Sequence, residues 1–333
     1  MGEIRKDLIF RQFIFEGLAD FQGCIFEGSV FSNFASFIDG AWFHSAVFNG
    51  AASFSSVKFG REAGFSSVTF KGDAWFRATN FSSYASFSYS TFGQNAGFEA
   101  ALFNDSASFM LTVFGGGARF QSATFAATSD FSGARFLTHV PEFYAASLYE
   151  DTVFPIPEDY RANWPPLSGE VEDKEVMEAT QQKRAYSRLR LFMDKGLQID
   201  EAQFFHRMEM RAKRQTEGRA YRWLYSAFAL LSDYGNSVLR PVGWLFAVLM
   251  AGWPFMLWHL QGESAATGAQ FATALGWSLS NTLPFSGFGR VYYSGFAEGL
   301  PIWLKVIGGA QVIAAMVLLF LLGLGLRNRF RLR

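Results

Sequence analysis

Phenylalanine recurs through the first part of this chain at spacings that alternate between five and six residues. From Phe43 the series continues as Phe48, Phe54, Phe59, Phe65, Phe70, Phe76, Phe81, Phe87, Phe92, Phe98, Phe103, Phe109, Phe114, Phe120, Phe125, Phe131 and Phe136. Phe10, Phe15, Phe21 and Phe26 keep the same phase. Of 40 phenylalanines in 333 residues, 26 lie between Phe10 and Phe136, so a repeat is the first thing to look for. The unit is eleven residues, xAxFxxxxFxx. A small residue stands two positions before most of the rings, as at Ala41, Ala52, Ala63, Ala74, Ala85 and Ala96. Neither a helical period nor strand alternation produces this pattern, and a helix so rich in Gly, Ser and Phe would be a poor one. One large and one small inward side chain every five residues suits a solenoid with short sides and frequent corners, in which Phe stacks on Phe along the axis. The phase reads as slipping once near Phe31, Phe34 and Phe37, and as drifting by one residue at Phe143 and Leu148.

The repeat resembles the pentapeptide-repeat family, whose motif is A-(D/N)-(L/F)-x-x, from Phe10 to Phe136. The resemblance implies a right-handed quadrilateral β-helix. Four sides would use 22 residues per coil, so 132 residues would make six coils and, at about 4.8 Å each, a rod about 29 Å long. The extra residue in every second unit departs from the simple motif and is expected to bulge at a corner. The rings themselves are core, so any protein partner would read outward residues such as Asp73, Arg77, Asp105 and Asp130. Some members of that family mimic DNA and inhibit a topoisomerase. With 9 basic and 13 acidic residues, positions 1–150 have a small negative charge for such a role, and no nucleic acid is expected as a partner.

Composition then changes. Positions 151–173 form an acidic, proline-containing linker, with Pro155, Pro157, Pro165, Pro166 and six acids. Positions 174–237 read as a basic α-helical hairpin and juxtamembrane segment. A first helix ends at Gly196, and Asp200 is placed to cap a second. Ala185, Leu189 and Phe192 share one face of the first; Ala202, Phe205 and Met208 share one face of the second. Eleven Lys/Arg against five acids between Lys183 and Arg222 suit contact with anionic lipid, and Tyr221, Trp223 and Tyr225 suit a membrane interface.

Positions 238–333 read as a two-helix transmembrane domain. Val242–Leu260 is nineteen residues without Lys, Arg, Asp or Glu, and Val306–Leu326 is twenty-one. Pro254 is expected to kink the first. Basic residues crowd before the first span, and Arg327, Arg329, Arg331 and Arg333 follow the second. The loop 261–299 carries one Arg and two Glu. The positive-inside rule therefore expects a multi-pass protein of a bacterial inner membrane, with both termini and the solenoid in the cytoplasm. The first eleven residues hold no stretch of signal-peptide length, which agrees with that expectation. So does the lone Cys24, which cannot form an internal disulfide.

Within the loop, Gln270–Thr282 is too short to span and long enough for a re-entrant helix. Ala274-Leu275-Gly276-Trp277-Ser278-Leu279, followed by Gly287-Phe288-Gly289, is similar to the pore helix and filter of two-span potassium channels. The resemblance implies a pore helix carrying Trp277, Ser278, Ser280 and Asn281, and a filter loop of Thr282, Phe285, Ser286, Gly287, Phe288, Gly289 and Arg290. It also implies a homo-oligomer and a monovalent ion. Pro284-Phe285-Ser286 stands where Thr-Thr-Val belongs, and Arg290 replaces the acid after the last glycine; both departures stand against potassium selectivity. Two polar residues lie at or within the second span. Lys305, at its end, is placed to snorkel, and Gln311 is expected to hydrogen-bond between subunits.

Nothing in the chain spells an enzyme. His44, His139, His206 and His259 are scattered, no nucleotide, nucleophile or zinc motif occurs, and Gly115-Gly116-Gly117 falls at a repeat junction. No metal or cofactor is expected. The reading is a membrane protein whose solenoid binds or senses and whose oligomeric pore domain conducts. Its rivals are a membrane-anchored scaffold that conducts nothing, and a tethered inhibitor of a DNA-binding enzyme.

Overall fold

The computed structural model describes residues 3–4, 6–155, 163–167, 177–196, 198–261, 267–287 and 299–330. It divides into two compact units, Met1–Glu217 and Gly218–Arg333.

The first unit begins with 25 two-residue strands, β1 (Glu3–Ile4) to β25 (Arg135–Phe136). Each pairs in parallel with the strand four places on, so the strands form four sheets of seven, six, six and six. Ala52 lies against Ala74 and Ala74 against Ala96, one coil apart each time, as a four-sided coil of this repeat requires. Two residues per strand make a weak ladder alone; stacking of whole coils supplies the cooperativity. Because side chains alternate, the alanine and the ring two positions on share the inward face. Phe54, Phe76, Phe87 and Phe98 are fully buried. Rings one coil apart lie face to face, as Phe43–Phe65 at 4.9 Å and Phe92–Phe114 at 5.2 Å. Rings on opposite sides meet edge to face across the core, as Phe76–Phe87 at 5.2 Å and 82°. The edge-to-face contacts suit the ring quadrupole.

Two kinds of corner alternate. The tight one is closed by a backbone bond such as Ala46 N–H to Phe43 O at 3.0 Å. Its third residue takes a positive φ, 57° at Ser45 and 61° at Tyr89. The wide corner absorbs the extra residue and stacks backbone directly on backbone. At Gly72 a Cβ would lie 2.8 Å from Gly50 O, which is why glycine serves there.

The apparent slip near Phe31 is not a change of register. Val30–Phe31 pairs with Ala52–Ser53, and Phe37 stacks between Phe15 and Phe59. Ser32, itself buried, takes the ring's place in the column below Phe54. Phe31 is half-buried beneath Arg11, and Phe34 sits in a tight corner, 65% exposed. The drift at Phe143 is real: Phe120 stacks on Phe143 and Phe131 on Phe154, each partner one position later than the ladder would place it.

An open solenoid end would leave rings in water. Helices α1 (Ala179–Lys195) and α2 (Ile199–Thr216) close it. Phe205 of α2 meets Phe154 edge-on at 6.2 Å, and Trp164 bridges Phe136 and Phe205. Ala185 and Leu189 are buried on α1, and Ala202, Phe205 and Met208 on α2; Phe192 is partly buried. Gln198, not Asp200, occupies the cap of α2. Asp200 lies in the first turn, where its charge still suits the helix N-terminus.

Arg190 on α1 donates to Glu209 on α2 at 2.8 Å and to Asp194 at 3.3 Å. His206 lies near this group. Burial first, then the Arg190 charge, lowers its pKa from the ordinary 6.5, against the opposing pull of Glu209 and Asp194. As pH falls through 6.5 the unfolded chain takes up a proton that the folded hairpin refuses, so stability present above that pH is lost below it. Melts of the full chain in detergent should therefore fall between pH 7.5 and 5.5, and His206→Gln should flatten that slope; an equal slope in the variant would assign it elsewhere.

The second unit contains α3 (Arg219–Ser232), α4 (Leu239–Gln261), α5 (Gly268–Thr282) and α6 (Ile302–Phe330). The α3–α4 turn runs through Asp233, Tyr234 and Gly235, all at positive φ. It docks on the C-terminal part of α6, where Asn328 donates to Gly235 O at 3.0 Å. Helices α4 and α6 are both long and apolar enough to cross a membrane. Their outer faces are bare: Phe246, Trp258, Ile302, Ile313 and Phe320 are all exposed. On α3, Tyr221, Trp223, Leu224 and Leu230 are likewise exposed.

Candidate functional site

The site is built around α5, a short helix that packs on both long ones. Its start is fixed by a reciprocal cap: Gln270 N–H donates to the Thr267 hydroxyl, and Thr267 N–H to the Gln270 side chain. The Gln270 amide also donates to Leu260 O at 2.7 Å, tying this end to α4.

One turn from its end, α5 turns polar residues inward. Ser278 is fully buried, and its hydroxyl donates to Leu249 O at 2.7 Å. Gln311 of α6 donates to Val248 O and to the Ser278 hydroxyl, both at 2.9 Å. Its carbonyl accepts from Asn281 at 3.2 Å. One amide thus joins three helices, with its hydrogen-bonding capacity largely used. Both outside acceptors are main-chain carbonyls of α4, those of Val248 and Leu249. Gln311 therefore spends its amide within one chain rather than between subunits.

Two glycines make room. A Cβ on Gly252 would lie 1.8 Å from the Gln311 nitrogen, so the amide lies across bare α4 backbone. A Cβ on Gly308 would lie 3.0 Å from the Trp277 ring and 3.2 Å from Asn281. Trp277 is buried with Ala274, Met256 and Leu304. Ser280 donates to Trp277 O and Thr282 to Ser278 O, so both hydroxyls are satisfied within α5.

Beyond Thr282 the chain makes a 3-10 turn, Pro284–Ser286, rather than an extended row of carbonyls. Phe285 is 78% exposed, and Ser286 donates to Leu283 O. Gly287 has φ +71°, with open space where a Cβ would stand. Phe288, Gly289 and Arg290 lie outside the described residues. Lys305 is exposed on the first turn of α6. No charged side chain stands in the first or last turn of α5, whose C-terminal carbonyls carry the negative end of the helix dipole.

Comparison with protein families adds one decisive observation. Residues 35–80 and 54–102 match the model for pentapeptide repeats (9 copies). The solenoid is built of pentapeptide repeats. Neither a curated protein nor a solved structure matches the chain. The pentapeptide repeats thus account for the rod, and the unit that follows is read from its own geometry.

That geometry unites Ser278, Asn281 and Gln311, which the sequence reading singled out, with Trp277 beside them. It holds Phe285, Ser286 and Gly287 apart from that network. Sequence reasoning missed Gly252, Gly308, Gln270 and the carbonyls of Val248 and Leu249. The available signal was small residues in apolar runs, which permit close helix approach in lipid; main-chain acceptors leave no trace in sequence.

Proposed function

We propose that the chain is a non-enzymatic, multi-pass membrane protein in which a pentapeptide-repeat solenoid serves as a cytoplasmic binding or sensing module for an oligomeric, channel-like pore domain. The observation that carries this reading is the short helix α5, held against two apolar helices by the Ser278–Gln311–Asn281 network. A helix too short to span is stable at membrane depth only when buried in protein or lining water. The negative end of α5 would favour a monovalent cation, while Arg290 would oppose one. Two spans cannot enclose a pore, so conduction requires a symmetric homo-oligomer, and the exposed Phe285 suits contact with a neighbouring copy. The amphipathic α3 would lie at the inner lipid surface. The 3-10 turn at Pro284 favours a second reading, a membrane-anchored scaffold without conduction.

Topology is the first requirement. Reporters fused before Met1 and after Arg333 should both read cytoplasmic, and one inserted within 262–268 should read external. A C-terminal reporter on the far side would overturn the arrangement. Conduction should then depend on Gly287. Its positive φ is costly for a β-branched residue, although no atom stands in the way. Gly287→Val should abolish ion flux from proteoliposomes while leaving insertion and assembly intact. Undiminished flux would remove this turn from the pathway.

A further inference from the structure

A cleft of about 760 Å³ opens in the first unit between the last solenoid coil and α1. Its size suits a small-molecule ligand. One wall is a single face of α1, where Gln181, Arg184, Arg188 and Leu191 follow one another at helical spacing. The other wall is Phe143 and Tyr144, with Met177 and Ala185 between.

Its charges are unequally satisfied. Glu142 accepts from Gln121, and Glu209 is paired with Arg190. Among the described residues, Lys183 and Arg184 have no carboxylate partner. Arg188 lies over the Tyr144 ring at 5.2 Å. Three cations thus face a mixed apolar and aromatic cleft whose two acids are already engaged. Guanidinium groups one turn apart present paired donors that match phosphate oxygens, and the Tyr144 ring, 63% exposed, offers a face for an apolar body.

We propose that this cleft binds an organic phosphate, with its charged group on Arg184, Arg188 and Lys183 and its body against Tyr144. The site lies within the first unit and does not depend on the pore reading. The ligand's source, soluble metabolite or lipid headgroup, shares this chemistry.

The test is isothermal titration of the full-length protein in neutral detergent with ADP and with pyrophosphate. In parallel, the same titration uses water-soluble dihexanoyl phosphatidylglycerol, with dihexanoyl phosphatidylcholine as the control. Saturable binding is expected, weakened tenfold or more by Arg184→Gln and by Arg188→Gln. The double variant Lys58→Gln/Lys71→Gln, which removes charge elsewhere, should bind normally. ADP binding that exceeds pyrophosphate binding and falls on Tyr144→Ala supports the stacked body. Arginine-dependent binding of dihexanoyl phosphatidylglycerol alone assigns the phosphate to a headgroup. Glu170, Glu172 and Asp173 precede Met177 closely in the chain and could compete, so Glu170→Gln/Glu172→Gln/Asp173→Asn is titrated as well. Absence of binding in both this variant and the native chain, or equal loss in the lysine variant, overturns the proposal.

Discussion

Phe87→Ala should destabilise the solenoid by about 3–5 kcal/mol, the cost of deleting a large buried ring and leaving its cavity. The ring is fully buried. It stacks at 5.0 Å on Phe65 and at 5.0 Å on Phe109, and meets Phe76 and Phe98 edge-on at 5.2 Å. Collapse into the void is opposed on every side, because each neighbour is held in its own column by parallel strand pairing. Loss should appear first as proteolytic cleavage in the coils on either side, since coils contact only their neighbours. Phe34→Ala is the matched control: that ring is 65% exposed and outside the ladder, so its removal should change stability by less than about 0.5 kcal/mol. Equal melts for Phe87→Ala and Phe34→Ala would refute the inward register.

Gly252→Val should cost the second unit about 2–4 kcal/mol, because it breaks a shared buried network. A Cβ there falls 1.8 Å from the Gln311 nitrogen and 2.3 Å from its amide carbon, so the amide must leave. Its bonds to Val248 O, Ser278 and Asn281 go with it. Each such bond within a membrane contributes about 0.6–1.7 kcal/mol. Helix α4 itself supplies a control in Gly243, and α6 supplies another in Gly309; at both sites a Cβ would meet nothing within 4 Å. Gly243→Ala and Gly309→Ala should be neutral in denaturant-induced unfolding in mixed micelles, while Gly252→Val shifts the transition and loosens α5 in hydrogen exchange. An unshifted transition would mean that the Gln311 network does not hold α5.

How far the sequence revealed this structure depended on how local each determinant is. The coil-to-coil step was legible because every coil repeats the same inward pair, Ala and Phe, and errors in one coil are corrected by the next. Reading stopped where a ring left its column: Ser32 fills a place where the pattern expects Phe, and the nearby Phe31 and Phe34 looked like a shifted register. The amphipathic faces of α1 and α2 were legible from Ala185, Leu189, Ala202, Phe205 and Met208. What they cover, the ring of Phe154 at the solenoid end, was not, because Phe154 and Phe205 are far apart along the chain and no local pattern links them. In the second unit, Gln311 stood out as a polar residue in an apolar run, and Ser278 and Asn281 through the resemblance to a pore helix. Two of their acceptors, the carbonyls of Val248 and Leu249, were invisible, since a main-chain carbonyl has no residue code.

The proposal of conduction is tested most directly by single-channel recording of purified oligomers in planar bilayers, in symmetric and then asymmetric KCl. The account predicts discrete openings that Gly287→Val eliminates, and a reversal potential that moves toward cation selectivity when Arg290→Glu replaces a fixed positive charge near the loop. Verified, correctly inserted oligomers that show no openings across voltage, pH and membrane tension would contradict it and leave a membrane-anchored pentapeptide-repeat scaffold.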